Sequence, residues 1–190
     1  METNPIIEIF SRVHPLSYEA RKEFISIFQH RSYAKKVKLL EYGHVADSLF
    51  YIKKGLARAF YNREGTEVTY YFAIDNQFIG AVPSLFDKQP SHKAIQLIED
   101  SEVIQFAYSD FERCCSQHQD LEIAARKISS LIILREQERN ENLRFFSARE
   151  RFELLEKQYP GISNRCPLKY LASYIGTSPV SLSRIRAGIQ

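Results

Sequence analysis

Between residues 32 and 111 no apolar stretch runs far before a turn signal interrupts it. Residues 37–42, 48–52, 57–61 and 68–73 are apolar; Gly43, Gly55, Asn62-Arg63-Glu64-Gly65 and Asp75-Asn76-Gln77 stand between or after them. The segments 58–61 and 67–72, joined by a glycine-containing turn, predict a hairpin. Phe78-Ile79-Gly80 follows, and residues 94–98 and 103–107 add two strands around Glu99-Asp100-Ser101. Many short strands at regular spacing predict an antiparallel barrel or roll. With helical segments on both sides, the fold class is α+β.

Residues 4–31 read as helical. Ile6, Ile7 and Phe10 share one face; after Pro15, Ser17 caps a second helix with Phe24, Ile25 and Phe28 inside. Ser109-Asp110-Phe111 opens a short helix beyond the strands. A long helix is predicted over 119–144, where Leu121, Ala125, Ile128, Ile132 and Arg135 keep 4-3-4-3 spacing. Ile123, Leu131, Ile133 and Leu134 make it apolar on more than one side, so one side can face the roll and the other a second copy. Packing on its own domain is the competing reading. Residues 145–158 form a further amphipathic helix with Phe146, Phe152, Leu154 and Leu155, and Tyr159-Pro160-Gly161 breaks the chain.

The last 26 residues, 165–190, carry four basic side chains and no acid. Leu168, Leu171, Ala172 and Ile175 fall at i, i+3, i+4, i+7, a buried helical stripe. Gly176 ends that helix. Ser178 then suits an N-cap and Pro179 the first helical position. Leu182, Ile185 and Ile189 face inward, which leaves Ser181, Arg184 and Gly188 outward. Helix, turn, helix with a cationic outer face suits a DNA major groove. Charge agrees: residues 144–190 hold 8 Lys/Arg and 3 Asp/Glu, whereas residues 1–143 hold 18 and 20.

Composition bounds the alternatives. The chain has 190 residues, 44% hydrophobic and 26% charged, which suits a soluble globular protein. No apolar run reaches the roughly 20 residues needed to span a bilayer, and METNPIIEIF is not a signal peptide. A cytoplasmic protein without membrane partners is expected. Cys114, Cys115 and Cys166 have no metal-ligand spacing. No nucleophile elbow, phosphate-binding glycine loop or compelling carboxylate pair is present, so an enzyme is not expected.

Leu49-Phe50-Tyr51-Ile52-Lys53-Lys54-Gly55, Glu64-Gly65 and Asp75-Asn76-Gln77-Phe78-Ile79-Gly80 resemble the glycine-punctuated strands of the cyclic-nucleotide-binding β-roll. With the long helix, Leu171-Ala172-Ser173-Tyr174-Ile175-Gly176 and Leu182-Ser183-Arg184-Ile185, nearly the whole chain resembles a regulator of the Crp-Fnr superfamily. The resemblance implies a jelly-roll-like double-stranded β-helix over 1–118, a dimerisation helix over 119–144 and a helix-turn-helix DNA-binding domain over 145–190. It implies a homodimeric transcription factor bound to double-stranded DNA, with RNA polymerase as a further candidate partner.

Three departures from the family pattern matter. Nucleotide-binding members carry a Glu after the Phe-Ile-Gly strand and later an Arg for the cyclic phosphate. Here Ala81 follows Gly80, and Pro90-Ser91-His92-Lys93-Ala94 lacks an Arg. Cyclic AMP in the usual mode is therefore not expected and no cofactor is assigned. Gly80, Ala81, His92, Lys93 and Ala94 remain the candidate pocket for an unidentified small-molecule effector. The cysteines that hold an iron–sulfur cluster in oxygen-sensing members are absent before Cys114, and His44 and His92 are only nominal haem ligands. No wing is expected after the recognition helix, and Val180 stands where many members have a base-reading Glu. On this reading Arg184 reads guanine, Val180 and Ser181 contact neighbouring bases, and Arg165, Lys169, Ser178 and Arg186 hold phosphates. The alternative is a small-molecule sensor or protein-interaction module whose helix pair does not bind DNA.

Overall fold

Strands β1 (Gln29–Tyr33), β8 (Ser101–Ala107), β3 (Ser48–Lys54) and β6 (Gln77–Ile79) form one antiparallel sheet in that order. Strands β2 (Lys38–Leu40), β7 (Lys93–Leu97), β4 (Ala57–Arg63) and β5 (Thr66–Ala73) form a second. The structure is a computed structural model, and it describes residues 4–189. Met1–Thr3, the start of the segment read for a leader, and Gln190, the last residue of the acid-free segment, lie outside the described residues.

The two sheets close on a core of Phe50, Ile52, Ala57, Ala59, Ile79, Ile95, Leu97 and Val103. Alternation along each strand supplies these side chains, because successive residues point to opposite faces. A second core lies outside the first sheet. Helices α1 (Pro5–Val13) and α2 (Tyr18–Ser26) pack there with α4 (Tyr108–Gln117) and the start of α5 (Gln119–Phe145) on Tyr51, Ile104 and Phe106. Phe10, Phe24, Phe106 and Phe111 meet with ring centroids 5.0–5.8 Å apart. Each such buried ring contributes roughly 1.5–3 kcal/mol over exposure. Helix α3 (Val82–Asp87) spans the loop between β6 and β7.

The chain ends in α6 (Ala148–Gln158), α7 (Ile162–Arg165), α8 (Leu168–Ile175) and α9 (Pro179–Arg186). A third core joins these helices to the second sheet: Leu56, Phe72 and Ile74 pack with Leu155, Tyr159, Ile162, Cys166, Leu171, Ala172, Ile175 and Leu182.

Side chains cap the first two helices, at Ser17 as expected and also at Asn4. Asn4 accepts from the Ile6 N–H at 3.0 Å ahead of Pro5, and Ser17 accepts from Ala20. Other expectations are corrected. Residues 29–31 belong to β1 and not to a helix; Gln29–Tyr33 is a polar edge strand paired only with β8, so no apolar alternation announces it. Ile25 is exposed, because its neighbour Phe24 takes the core side of α2. Helix α4 starts at Tyr108 with Ala107 as N-cap and no side-chain cap, one residue ahead of the Ser109 start. The helix expected over 145–158 is split: α5 runs through Phe145, Phe146 is extended, and Ser147 opens α6 with a capping box closed by Glu150.

Gly55 has a φ of +124°, and a Cβ there would lie 2.1 Å from Ser101 Oγ; Gly43, at +81°, has open space. Gly55→Ala should therefore cost at least about 1 kcal/mol more unfolding free energy than Gly43→Ala in urea titrations. Equal losses would mean that the Ser101 contact carries no weight.

Candidate nucleic-acid interface

The helix pair forms as its residues predict. Gly176 takes φ +69° at the end of α8, and the Thr177 N–H returns to the Ala172 carbonyl at 2.9 Å. Ser178 Oγ accepts from the Ser181 N–H at 3.1 Å, with Pro179 at the first helical position. Leu182 and Ile185 are buried with Leu171, Ala172 and Ile175 beneath them. Val180, Arg184 and Arg186 are exposed and Ser181 is half-buried, so α9 presents a cationic, acid-free outer face. Ile189 is a correction: it is 72% exposed, because α9 stops at Arg186 and Gly188, at φ +70°, turns the chain away.

Lys169 is exposed, its Nζ 4.9 Å from the Tyr170 ring centroid. Arg165 lies elsewhere and corrects the phosphate role read for it. Its Nη1 donates to Asp75 Oδ2 at 2.6 Å, its Nη2 to Glu99 Oε2 at 2.7 Å and to the Gly55 carbonyl at 2.8 Å, and its Nε to Glu99 at 3.1 Å. These bonds raise the guanidinium above its ordinary range. Burial alone would raise Asp75, but bonds from Arg165 and the Gly55 N–H hold it below the ordinary carboxylate value. With its donors engaged by two roll carboxylates and a carbonyl, Arg165 is not free for DNA.

The sequence reading missed Arg151 and Arg58. Arg151 Nε donates to the Ile175 carbonyl at 2.7 Å and Nη1 to the Phe146 carbonyl, so it satisfies the C-terminal ends of α8 and α5 together. Arg58 is fully buried under α8. Its guanidinium lies 3.5 Å from the Tyr170 centroid and 4.0 Å from that of Phe60, and Nη2 donates to Glu67 and, at 3.0 Å, to Gln96. Its Nε and Nη1 find no acceptor among the described residues. Residue type alone cannot separate such buried cations from surface ones.

At the expected effector position the roll's own side chains crowd in. The Tyr71 hydroxyl accepts from the Gly80 N–H at 2.8 Å and donates to the Gly80 carbonyl at 2.7 Å. Ala81 is buried with Ala46 and Leu85, and Ala94 is buried in β7. His92 is exposed and lines a shallow cavity of about 400 Å³ with Tyr42, Tyr61, Asn62, Arg63 and Val68. Lys93 is buried, its ammonium 3.8 Å from the Tyr70 centroid and 5.3 Å from that of Tyr61. Burial lowers its pKa, with Arg139 acting the same way and Glu136 against it.

A β-bulge aims Tyr70. Ala59 pairs with Tyr71 and Phe60 with Thr69, so Tyr70 is the extra residue. Its hydroxyl donates to Glu136 on α5 at 2.5 Å, and Arg139 stacks over its ring at 4.1 Å. Of the seam read on α5, Leu121 is sealed in its own chain's core, so it is corrected out of a contact with a second copy. Ala125 and Ile128 are half-buried against the same core, whereas Ile132 and Arg135 are exposed. Leu131, Ile133, Leu134, Leu143 and Phe145 are exposed as well; Ile132, Ile133 and Phe145 line an open groove of about 660 Å³ together with Glu136, Gln137, Asn140, Glu141 and Arg144. Among the described residues no cluster of His, Cys, Asp or Glu could hold a metal, and no helix is long and apolar enough to cross a membrane.

Residues 30–118 match the family model described as Cyclic nucleotide-binding domain. No curated protein matches the chain in sequence. Solved structures share its fold. The catabolite activator protein of Thermus thermophilus is 23% identical, with 95% of this chain and 86% of that chain covered and a TM-score of 0.58. FixK2 from Bradyrhizobium japonicum is 18% identical over 86% of this chain and 84% of its own, with a TM-score of 0.70. A cyclic nucleotide-binding domain containing protein from Listeria monocytogenes EGD-e is 13% identical over 98% and 90%, with a TM-score of 0.67.

Burial, and then the bond to Glu136, raises Tyr70 from the ordinary 10.0 to about 12. The fold favours its protonated form, so that contribution to stability is present below the unfolded value and is lost as pH rises through about 12. Unfolding free energy should fall less steeply between those limits in Tyr70→Phe than in the wild type. Parallel curves would separate Tyr70 from the alkaline transition.

Proposed function

We propose, on the premise that the chain resembles the Crp-Fnr regulators in sequence over its roll and in fold throughout, that it is a DNA-binding transcriptional regulator acting as a homodimer. Its working units are the roll over 1–118, the dimer helix over 119–144 and the helix-turn-helix unit over 145–190. One observation carries the reading: α9 stands on a buried apolar stripe with an acid-free outer face on which Val180, Arg184 and Arg186 are exposed and Ser181 is half-buried.

Arg184 suits a guanine, donating to O6 and N7, while Val180 can meet only an apolar edge such as a thymine methyl. Lys169 and Arg186 supply charge for phosphates. Ser178 is committed as the cap of α9, so its part is to hold the backbone N–H groups at that helix start, which favour an anion. The exposed apolar side of α5 from Leu131 to Phe145 supports a second copy there, since apolar patches rimmed by polar groups mark association sites. Two recognition helices about 34 Å apart match a near-palindromic site.

The roll serves this reading as a scaffold. Tyr71 bonds both backbone groups of Gly80, and Lys93 lies against Tyr70; these contacts support a reading without a cyclic nucleotide in the usual mode, and no cofactor is assigned.

Selection from random duplex DNA tests the proposal. The wild type should enrich a motif with two-fold symmetry, and Arg184→Ala should lose about 1–3 kcal/mol of binding and relax one base position per half-site. No enriched motif at moderate salt would favour a sensor or interaction module instead. Leu131→Glu with Leu134→Glu should give a monomer by sedimentation and lose the symmetric motif; a dimer that survived both charges would put the second copy elsewhere.

A further inference from the structure

The cation that opens the acid-free C-terminal segment turns away from the recognition face and grips the roll. Arg165 sits at the end of α7, immediately before Cys166 and α8. Its guanidinium bridges Asp75, in the turn between β5 and β6, and Glu99, in the turn between β7 and β8, and it also reaches the Gly55 carbonyl. Asp75 in turn accepts from the Gly55 N–H at 2.7 Å. Three separate turns of the roll are thus tied to one residue of the helical unit.

Other contacts hold the same two bodies together. The Thr69 N–H donates to Ser173 Oγ on α8 at 3.1 Å. The Phe72 ring meets Tyr174 at 5.4 Å and Tyr159 at 5.8 Å. Arg58 stacks on Tyr170, and Arg139 lies between Tyr70 of the roll and Tyr174 of α8. Apolar contact alone can slide; a planar guanidinium held by two carboxylates and a carbonyl cannot turn without breaking bonds whose directions are set.

We propose that Arg165, with Asp75 and Glu99, is a positioning residue for DNA recognition: the joint fixes where α9 lies relative to α5, and so fixes the spacing between the two reading helices of a dimer. This rests on the DNA-binding reading above. It adds that two acidic residues of the roll, remote from the reading face in sequence, are required for operator selection. The electrostatics of the two possible roles oppose each other. If Arg165 touched phosphate, removing nearby carboxylates would leave binding unchanged or tighten it, because DNA repels them. If Arg165 is a joint, removing them weakens binding.

The test uses the full chain and the operator it selects. Four variants are compared: Arg165→Lys, Arg165→Ala, Asp75→Asn with Glu99→Gln, and the exchange Arg165→Glu with Glu99→Arg. Affinity is measured on operators whose half-site spacing is stepped by one base pair, at several salt concentrations. Cys166 offers a second readout, since it is buried beside the joint while Cys114 and Cys115 are buried in a different core. The carboxylate-free variant should lose about tenfold at the preferred spacing and discriminate less between spacings. Its salt slope should stay unchanged, and Cys166 should be alkylated about fivefold faster with Cys114 and Cys115 unaffected. Arg165→Lys should behave likewise, because an ammonium keeps the charge and loses the fork; it also decides the matter if the carboxylate-free variant fails to melt cooperatively. The exchange should recover part of the spacing preference.

Undiminished binding by the carboxylate-free variant, or an Arg165→Lys variant with wild-type spacing preference, would overturn the proposal. So would an Arg165→Ala variant whose salt slope falls by roughly 0.9 per lost phosphate contact. If the wild type selects no motif, the DNA reading fails and the positioning role fails with it; the Cys166 rates then still report whether the joint holds the two bodies together.

Discussion

One apolar layer decides where the rest of this molecule lies. Leu56, Phe72 and Ile74 offer it on the sheet side; Leu155, Tyr159, Ile162, Leu171 and Ile175 offer it on the helical side. Neither side could bury these groups alone. Helices α7, α8 and α9 span only 4, 8 and 8 residues, too short to hold a helical conformation in water without packing. Their stability therefore comes from the layer they share with the roll, and α9 inherits its orientation from the segments around β4 and β5.

Around that layer the polar groups follow the cost of desolvation. Arg58 is fully buried and meets it with Glu67, Gln96 and two aromatic rings, yet Nε and Nη1 stay without acceptors among the described residues. Removing one partner of such a charge is costly even where the pair itself adds little net stability. Arg165 lies nearer the surface and engages three turns of the roll. Tyr70 reaches Glu136 and Arg139 of α5 because a bulge releases it from the β4–β5 register. A local irregularity of one residue thus brings the second sheet, α5 and α8 to a common junction at Arg139.

Much of this architecture is legible in the amino-acid sequence. The hairpin, the glycine-marked turns, the long helix and the α8–Gly176–Ser178–α9 sequence all rest on local chemistry, and local chemistry travels with the residues. What escaped has a consistent cause. Strand β1 is polar on both faces and owes its existence to pairing with β8, a partner some 70 residues away. Ile25 and Ile189 followed apolar spacing but lie where no partner surface arrives. Leu121 and Ile132 share one helical stripe, yet one is sealed by α1, α2 and α4 and the other is open, because the helix outruns the domain it packs on. In the candidate site, Arg184 and Val180 could be placed from the cap and the turn. Arg165 could not, since its acceptors come from turns at Gly55, Asp75 and Glu99.

The amino-acid order by itself determined that there would be a glycine-punctuated roll, a long helix and a capped, cationic helix pair, because period, caps and turn residues act within a few positions of one another. Only the tertiary structure decided which cations face outward. A guanidinium on an exposed helix face and one clamped between carboxylates are the same residue in sequence; burial and the distance to an acceptor, both set by chain segments far apart, leave Arg184 open to solvent and hold Arg165 between Asp75 and Glu99.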